Sequence, residues 1–252
     1  MRKIAICNQK GGVGKTATAV NLTAGLSLAE KRALLIDFDP QANATSGIGI
    51  DYKTLKTSVY QCLFEPQLIT ETIIKTKYPY LSVLPSTPDL VGAEIELVGE
   101  ANRERKLKDL LNIIDNDYDY GIIDCPPSLG LLTLNALVAS DSVIIPIQCE
   151  YYALEGLEKL LKTIRTVKEN LNPDLEIEGI LLTMYDARLN LAKDVVEEVK
   201  KHFSDSVFET IIPRSVRIAE APSYGKSVLH YNISSAGAQA YLLLTREILD
   251  HA

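Results

Sequence analysis

Apolar residues in this chain fall into short, near-continuous runs separated by longer stretches where they recur every three or four positions. The short runs at 3–7, 33–37, 81–84, 120–124, 142–147, 177–183 and 207–211 are rich in Ile, Leu and Val and predict strands. The amphipathic stretches at 15–28, 103–114, 131–139, 154–169, 192–202 and 236–249 predict helices. Strands that read as unbroken apolar runs are covered on both faces, as in parallel sheets. The alternation therefore predicts an α/β fold, a three-layer sandwich around a mostly parallel twisted sheet. Residues 52–80 are the hardest to read and predict short helices and a loop packed against the sheet edge. With no repeat or Pro/Ser-rich linker, residues 1–252 are expected to form a single domain.

Composition narrows the function classes. The apolar start of the chain is too short for a signal peptide and runs straight into a glycine loop. No apolar run approaches bilayer length. Cys7, Cys62, Cys125 and Cys149 are scattered without a CxxC pair, which disfavours a zinc site or disulfide framework and suits a reducing cytosol. A net charge of -7 argues against a surface that coats nucleic acid as a whole, though a local basic patch stays compatible with it. Tryptophan is absent and phenylalanine scarce, so no extended platform for stacking bases is expected.

The chemistry concentrates where the first strand meets the first helix, in Lys10-Gly11-Gly12-Val13-Gly14-Lys15-Thr16. Gly11, Gly12 and Gly14 let backbone N–H groups close around phosphate oxygens, and the following helix adds the positive end of its dipole. Lys15 is placed to reach the β- and γ-phosphates, and the Thr16 hydroxyl to bind Mg²⁺. The second strand ends in Asp37-Phe38-Asp39-Pro40-Gln41, and strand C-termini in open α/β sheets face the ligand crevice. Asp124 ends another apolar strand just before Cys125-Pro126-Pro127, a Walker B pattern expected to hold Mg²⁺ directly or through water.

The usual P-loop has a glycine where this chain has Gln9, and Lys10 is an additional lysine at the front of the loop. With these departures the segment resembles the deviant Walker A motif of the MinD, ParA/Soj, NifH and ArsA-type ATPases, and 8–16 is most similar to the ParA/Soj version. Further similarity lies in 41–49, 146–157 and 211–226, so the resemblance spans essentially the whole chain. It implies a deviant-Walker P-loop NTPase that hydrolyses ATP with Mg²⁺. It also implies that Lys10 crosses a dimer interface to the partner's ATP, and that Asp39 orients the attacking water and helps with the metal. Asp37 is expected to order the magnesium shell or the loop. Pro213 and Arg214 are implied as nucleotide contacts, alongside Ala17 at a position where the family usually carries a second Thr. Arg188 and Arg217, with Arg214 near them, are implied on a DNA-facing surface, and the helix bearing Lys159, Lys162, Arg165 and Lys168 is a further candidate.

The expectation is a ParA/Soj-type partition ATPase, cytoplasmic and nucleoid-associated. It would form a homodimer on ATP binding, bind non-specific DNA, and be released by a ParB-type centromere-binding partner that stimulates hydrolysis. The chain starts close to its first strand, which suggests the compact chromosomal form rather than one with a winged-helix extension. The alternative is a MinD-like membrane-positioning ATPase. The C-terminal stretch carries one arginine and two acids, and reads as a docked helix rather than a lipid anchor, so no membrane partner is expected. Cluster-ligating cysteines of a NifH-like protein have no convincing pattern here. A metabolic ligase of the same superfamily is the third class.

Overall fold

The computed structural model describes residues 1–150, 153–203 and 206–250, the side chains of 153–155 excepted. Seven strands form one sheet in the order β3-β4-β2-β5-β1-β6-β7. They are β1 (Arg2–Ile6), β2 (Ala33–Asp37), β3 (Ile74–Lys75), β4 (Leu81–Leu84), β5 (Tyr120–Asp124), β6 (Ser142–Gln148) and β7 (Glu176–Thr183). Every pairing is parallel except β3 with β4. Alternate residues of each strand enter opposite layers, as the pleat requires. Ile4 and Ile6 pack with Ala33 and Leu35 on one face, while Ala5 and Cys7 pack with Leu34 and Ile36 on the other. Both faces are therefore buried, which is why these strands read as continuous apolar runs.

Helices α1 (Lys15–Leu28), α11 (Val228–Tyr231) and α12 (Ala236–Asp250) cover the first face. The opposite face carries α3 (Val59–Phe64), α5 (Leu90–Glu96), α6 (Lys106–Asn112), α7 (Leu131–Ala139), α8 (Ala153–Asn170) and α9 (Asn190–Phe203). Short helices α2 (Asn43–Gly47), α4 (Ile69–Thr72) and α10 (Val216–Glu220) complete the set. Helices α1 and α12 approach closely because Gly25 has no side chain: a Cβ there would collide with Thr245, whose hydroxyl donates back to Tyr241 O at 2.8 Å. Gly25→Val is expected to cost about 1–3 kcal/mol of stability through overpacking. An unchanged urea midpoint would show that the two helices can part without loss.

Three expectations are corrected. Residues 207–211 do not form a strand; a single bridge joins Val207 to Ile180, with the Phe208 N–H donating to Ile180 O at 3.1 Å, and the N–H groups of Glu209 and Thr210 donate to the Glu247 carboxylate of α12 at 2.7 and 3.2 Å. The seventh strand is β3, an antiparallel edge from the 52–80 region, where short helices were expected and are also found. The helix expected at 103–114 is shorter. Asn102 takes a left-handed φ of 54°, and the Leu107 N–H donates to Asn135 Oδ1 at 3.1 Å. Among the described residues no helix is long and apolar enough to cross a membrane.

Candidate nucleotide site

The chain leaves β1 at the centre of the sheet, between β5 and β6, and enters α1 through the glycine loop. Gly12 and Gly14 have φ of 74° and 90°, a region that a side chain strains. Side chains from distant strands brace this loop. Thr183 at the end of β7 donates to Val13 O at 2.9 Å and Ile147 O at 3.1 Å. Asn8 donates to Pro146 O at 2.7 Å and accepts the Lys10 N–H at 3.0 Å. Lys15 is buried, and its ammonium folds back onto Lys10 O at 3.1 Å. Lys10 points the other way, its Nζ 3.0 Å from Glu150 Oε2 on the surface.

Two adjoining cavities open here. The smaller, about 340 Å³, is lined by the loop glycines, Lys15, Thr16, Asp39 and Pro127. The larger, about 690 Å³, runs from Thr16 and Ala17 to Ile212, Pro213 and Arg214, with Val20 and Val228 among its apolar walls. Its size and apolar walls suit a base beside a phosphate cradle. The structure thus brings Ala17, Pro213 and Arg214 to the loop, across some two hundred residues of chain. Backbone bonds hold the distal wall: Arg214 N donates to Tyr185 O at 2.9 Å, and Tyr185 N to Ile212 O at 3.1 Å.

Three aspartates gather below the loop. Asp39 lines the smaller cavity and accepts the Gln41 N–H at 2.9 Å. Asp37 does not face that cavity. It is fully buried and accepts the Thr45 N–H at 2.7 Å and the Thr45 hydroxyl at 2.6 Å; that hydroxyl in turn accepts the Ser86 N–H at 3.0 Å. Its observed contacts organise the segment after β2 and the start of α5. Burial pushes the Asp37 carboxyl up to about 6, against the Thr45 bonds that lower it. Asp124 pairs across β2–β5 with Asp37, and burial, then the Asp37 charge, push its carboxyl well above the usual range. The Thr16 hydroxyl opposes that rise, yet neither buried Asp124 oxygen has a partner in good hydrogen-bond geometry.

That orphaned carboxylate beside a threonine hydroxyl is a hard-oxygen donor set suited to Mg²⁺. Among the described residues no cluster of three His, Cys, Asp or Glu side chains is set to hold a metal. Magnesium in phosphoryl-transfer sites takes few protein ligands and completes its shell with phosphate and water, so the sparse set fits. The raised carboxyls also carry a stability consequence. A group of pKa near 6 in the fold and near 3.8 in the unfolded chain binds its proton more tightly when folded. Its contribution is therefore present below pH 4 and lost as pH rises through 6, at about 1.4 kcal/mol per pKa unit. Asp37→Asn is expected to flatten that part of the stability–pH curve of the nucleotide-free protein, as followed by thermal melts. An unaltered slope would remove Asp37 as its source.

Arg188 and Arg217 both lie on the exposed surface, each tied to a carboxylate of its own segment. Arg188 forks onto Asp186 at 2.9 and 2.6 Å, and Arg217 meets Glu220 at 2.8 Å. Residues 151 and 152 of the matched stretch 146–157 lie outside the described residues. Thr183 carries no motif that singles it out in the sequence, and Thr45 and Glu150 lie in the similar stretches 41–49 and 146–157 without a role assigned to either. The first closes a strand on the ligand side of the sheet, a signal that position alone could have supplied; the other two have meaning only through their partners.

A strand, a glycine loop with a buried lysine, a helix and an orphaned Asp at the end of the neighbouring strand define a P-loop ATPase. The family described as "AAA domain" matches residues 1–177. The chain belongs to the ParA/Soj family of chromosome-partitioning ATPases. It is 57% identical over 248 residues to the chromosome partitioning protein ParA of Myxococcus xanthus, covering 98% of this chain and 88% of that one. It is also 57% identical over 245 residues to the sporulation initiation inhibitor protein Soj of Bacillus subtilis, covering 97% of each. Among solved structures, the Mycobacterium smegmatis cobyrinic acid a,c-diamide synthase with bound ADP and magnesium superposes with a TM-score of 0.88 at 38% identity, covering 100% of this chain and 95% of that one.

Proposed function

We propose that this chain is a nucleotide-driven partition switch: it binds ATP with Mg²⁺, closes into a dimer, binds DNA without sequence preference, and is released when a partner stimulates hydrolysis. The observation that carries this reading is the division of labour between the two loop lysines. Lys15 is buried against the loop, whereas Lys10 extends outward and, among the described residues, its ammonium meets a half-exposed carboxylate. An exposed ion pair of this kind is worth about 0–1 kcal/mol, so Lys10 is readily redirected to a phosphate on a second protomer. There it stabilises charge as an arginine finger does.

Within one protomer, loop N–H groups and Lys15 bind the phosphates, and the 690 Å³ cavity receives the base. Thr16 and Asp124 would hold Mg²⁺, which supplies charge neutralisation at the β- and γ-phosphates. Asp39 orients water at the mouth of the smaller cavity. Arg188 and Arg217 contribute to DNA binding by exchanging Asp186 and Glu220 for phosphates, so each contact first breaks an intramolecular pair. A closed dimer doubles the patch, which reconciles DNA binding with a net charge of -7.

The test is binding to non-specific duplex with ATP, with ADP and without nucleotide. Tight, salt-sensitive binding with ATP alone is expected, with affinity falling by orders of magnitude between low and physiological salt if several phosphates are contacted. Equal affinity in the three states would sink the switch. Turnover that requires a carboxylic acid substrate and ignores DNA would favour the ligase reading, to which the 38% likeness to a diamide synthase gives some weight.

A further inference from the structure

At the end of the sheet opposite the glycine loop, the starts of β2, β4 and β5 frame another cavity, of about 670 Å³. Its walls come from α4, the turn between β3 and β4, Arg32 just before β2 and Tyr118 just before β5. It shares no lining residue with the two nucleotide cavities. Its volume is that of a small-molecule pocket.

Three tyrosines give this cavity its character. Tyr118 packs against the layer that holds α6 and Tyr78 against the layer of α1 and α12, so the cavity straddles the end of the sheet. The Tyr78 hydroxyl oxygen is buried and meets no hydrogen-bond partner among the described residues, which leaves a donor unused in the wall. Tyr80 is 51% exposed and takes a left-handed φ of 61°, a conformation that bulky side chains avoid. Its carbonyl accepts the Ala33 N–H at 2.8 Å, so the strained turn is pinned to β2. Residues held in this way collect at ligand clamps and switch regions.

The charges around the cavity select the ligand. Arg32 is already matched: its guanidinium meets Asp119 Oδ1 at 2.7 Å, and Asp117 lies close enough to add to the negative potential there. Both carboxylates are thus engaged, and a metal cation has no free pair of acids to hold it. Lys75 is exposed on the edge strand and meets no carboxylate among the described residues. Lys77 sits with its Nζ 5.3 Å from the centre of the Tyr78 ring. The unmatched charge is therefore cationic, beside aromatic walls. A flat ring bearing one negative group satisfies both features.

The cavity also reaches toward the nucleotide site. The Tyr78 ring stacks on His230 of α11, with centroids 3.6 Å apart and planes 15° from parallel. That short helix begins at Val228, a wall of the larger nucleotide cavity, whose N–H donates to Asn21 Oδ1 at 2.7 Å. A ligand that shifts Tyr78 bears on the base side of the nucleotide site through one turn of helix. We propose that this cavity is a second ligand site, for a small aromatic monoanion, and that its occupation is coupled to nucleotide affinity through Tyr78, His230 and Val228. The site stands on these observations whether or not the chain partitions DNA.

The test uses the full chain with its nucleotide site saturated by ADP and Mg²⁺, and naphthalene-2-sulfonate as the probe, followed by ligand-observed NMR. Saturable binding with a Kd on the order of 1 mM is expected for a probe of this size. Methanesulfonate carries the charge without the ring, and 2-naphthol the ring without the sulfonate; each is expected to bind about tenfold more weakly or worse. Tyr80→Gly is expected to weaken the probe about fivefold or more. Its melting temperature should be no lower than that of wild type, because glycine takes a φ of 61° without strain. Lys75→Glu is expected to weaken the probe similarly, since it reverses the unmatched charge on an exposed position. No saturable binding by wild type, equal binding of either partial probe, or equal binding by either variant would overturn the site. For the coupling, ADP affinity is titrated with and without the probe. A change of about fivefold is expected in wild type and none in Tyr80→Gly. An ADP affinity indifferent to the probe would overturn the coupling and leave the site standing. A shift that persists unchanged in Tyr80→Gly would mark direct competition at the glycine loop and overturn the coupling as well.

Discussion

Replacing Asp39 by alanine is expected to slow ATP hydrolysis by about 10²-fold or more while leaving ATP binding largely intact. Asp39 lines the cavity beside Lys15, Thr16 and Gly12, yet touches the loop only through the cavity they share. Its carboxylate accepts the Gln41 N–H, a contact that holds it in place without neutralising it. A group so placed can accept a bond from an attacking water and set its direction toward the γ-phosphate. On the proposed partition-switch reading its removal is expected to block exit from the ATP state, so the variant should accumulate as a DNA-bound dimer. Asp39→Asn is the control, because it keeps size and the Gln41 contact but loses the anionic acceptor. Single-turnover hydrolysis and light scattering with ATP check the two halves. Near-normal hydrolysis in both variants would transfer the water-orienting role elsewhere.

Lys10→Ala should produce the other large effect, and a different one. Lys15, the loop N–H groups and the distal cavity all remain, so nucleotide affinity of the protomer is expected to stay close to wild type. Dimerisation with ATP should fail, and hydrolysis should drop by about 10³-fold, the lower end for loss of a charge supplied in trans. Lys10→Arg separates charge from shape. If it restores dimerisation but not turnover, a compact ammonium is needed at the phosphates. Equilibrium nucleotide binding together with sedimentation is the decisive pair of measurements. A Lys10→Ala protein that dimerises normally would show that Lys10 serves only its own protomer.

The nucleotide-facing loop was legible because its chemistry is local. Strand, glycines, lysine and helix follow one another without a gap, and short-range sterics decide where Gly12 and Gly14 take positive φ. The core strands were legible for a related reason: burial on both faces writes itself as unbroken apolar runs, as at 33–37 and 120–124. The strand expected at 207–211 shows where this logic ends. Val207, Phe208 and Ile211 have strand-like side chains, and the Phe208 and Ile212 N–H groups do donate to β7, but Glu247, on a helix nearly forty residues later, captures the Thr210 N–H between them that a continuous ladder would need. Propensity describes what a segment prefers; the partner that takes its hydrogen bonds determines what it becomes.

The site divides along the same line. Residue types and spacing located Lys15, Thr16 and Asp124 as candidates, because phosphate and metal each require a particular group at a strand end or a helix start, while the family resemblance singled out Lys10 and Asp39. Tertiary structure alone decided that Asp37 turns inward to Thr45, that Thr183 clamps Val13, and that Arg188 and Arg217 begin paired with carboxylates. It also stacked Tyr78 on His230 and brought Arg32, Lys75 and Tyr80 to one cavity. Such contacts join residues distant in the chain, and the free energy that selects them comes from burial and pairing in the closed fold. The sequence encodes them only through that fold, so no local pattern announces them.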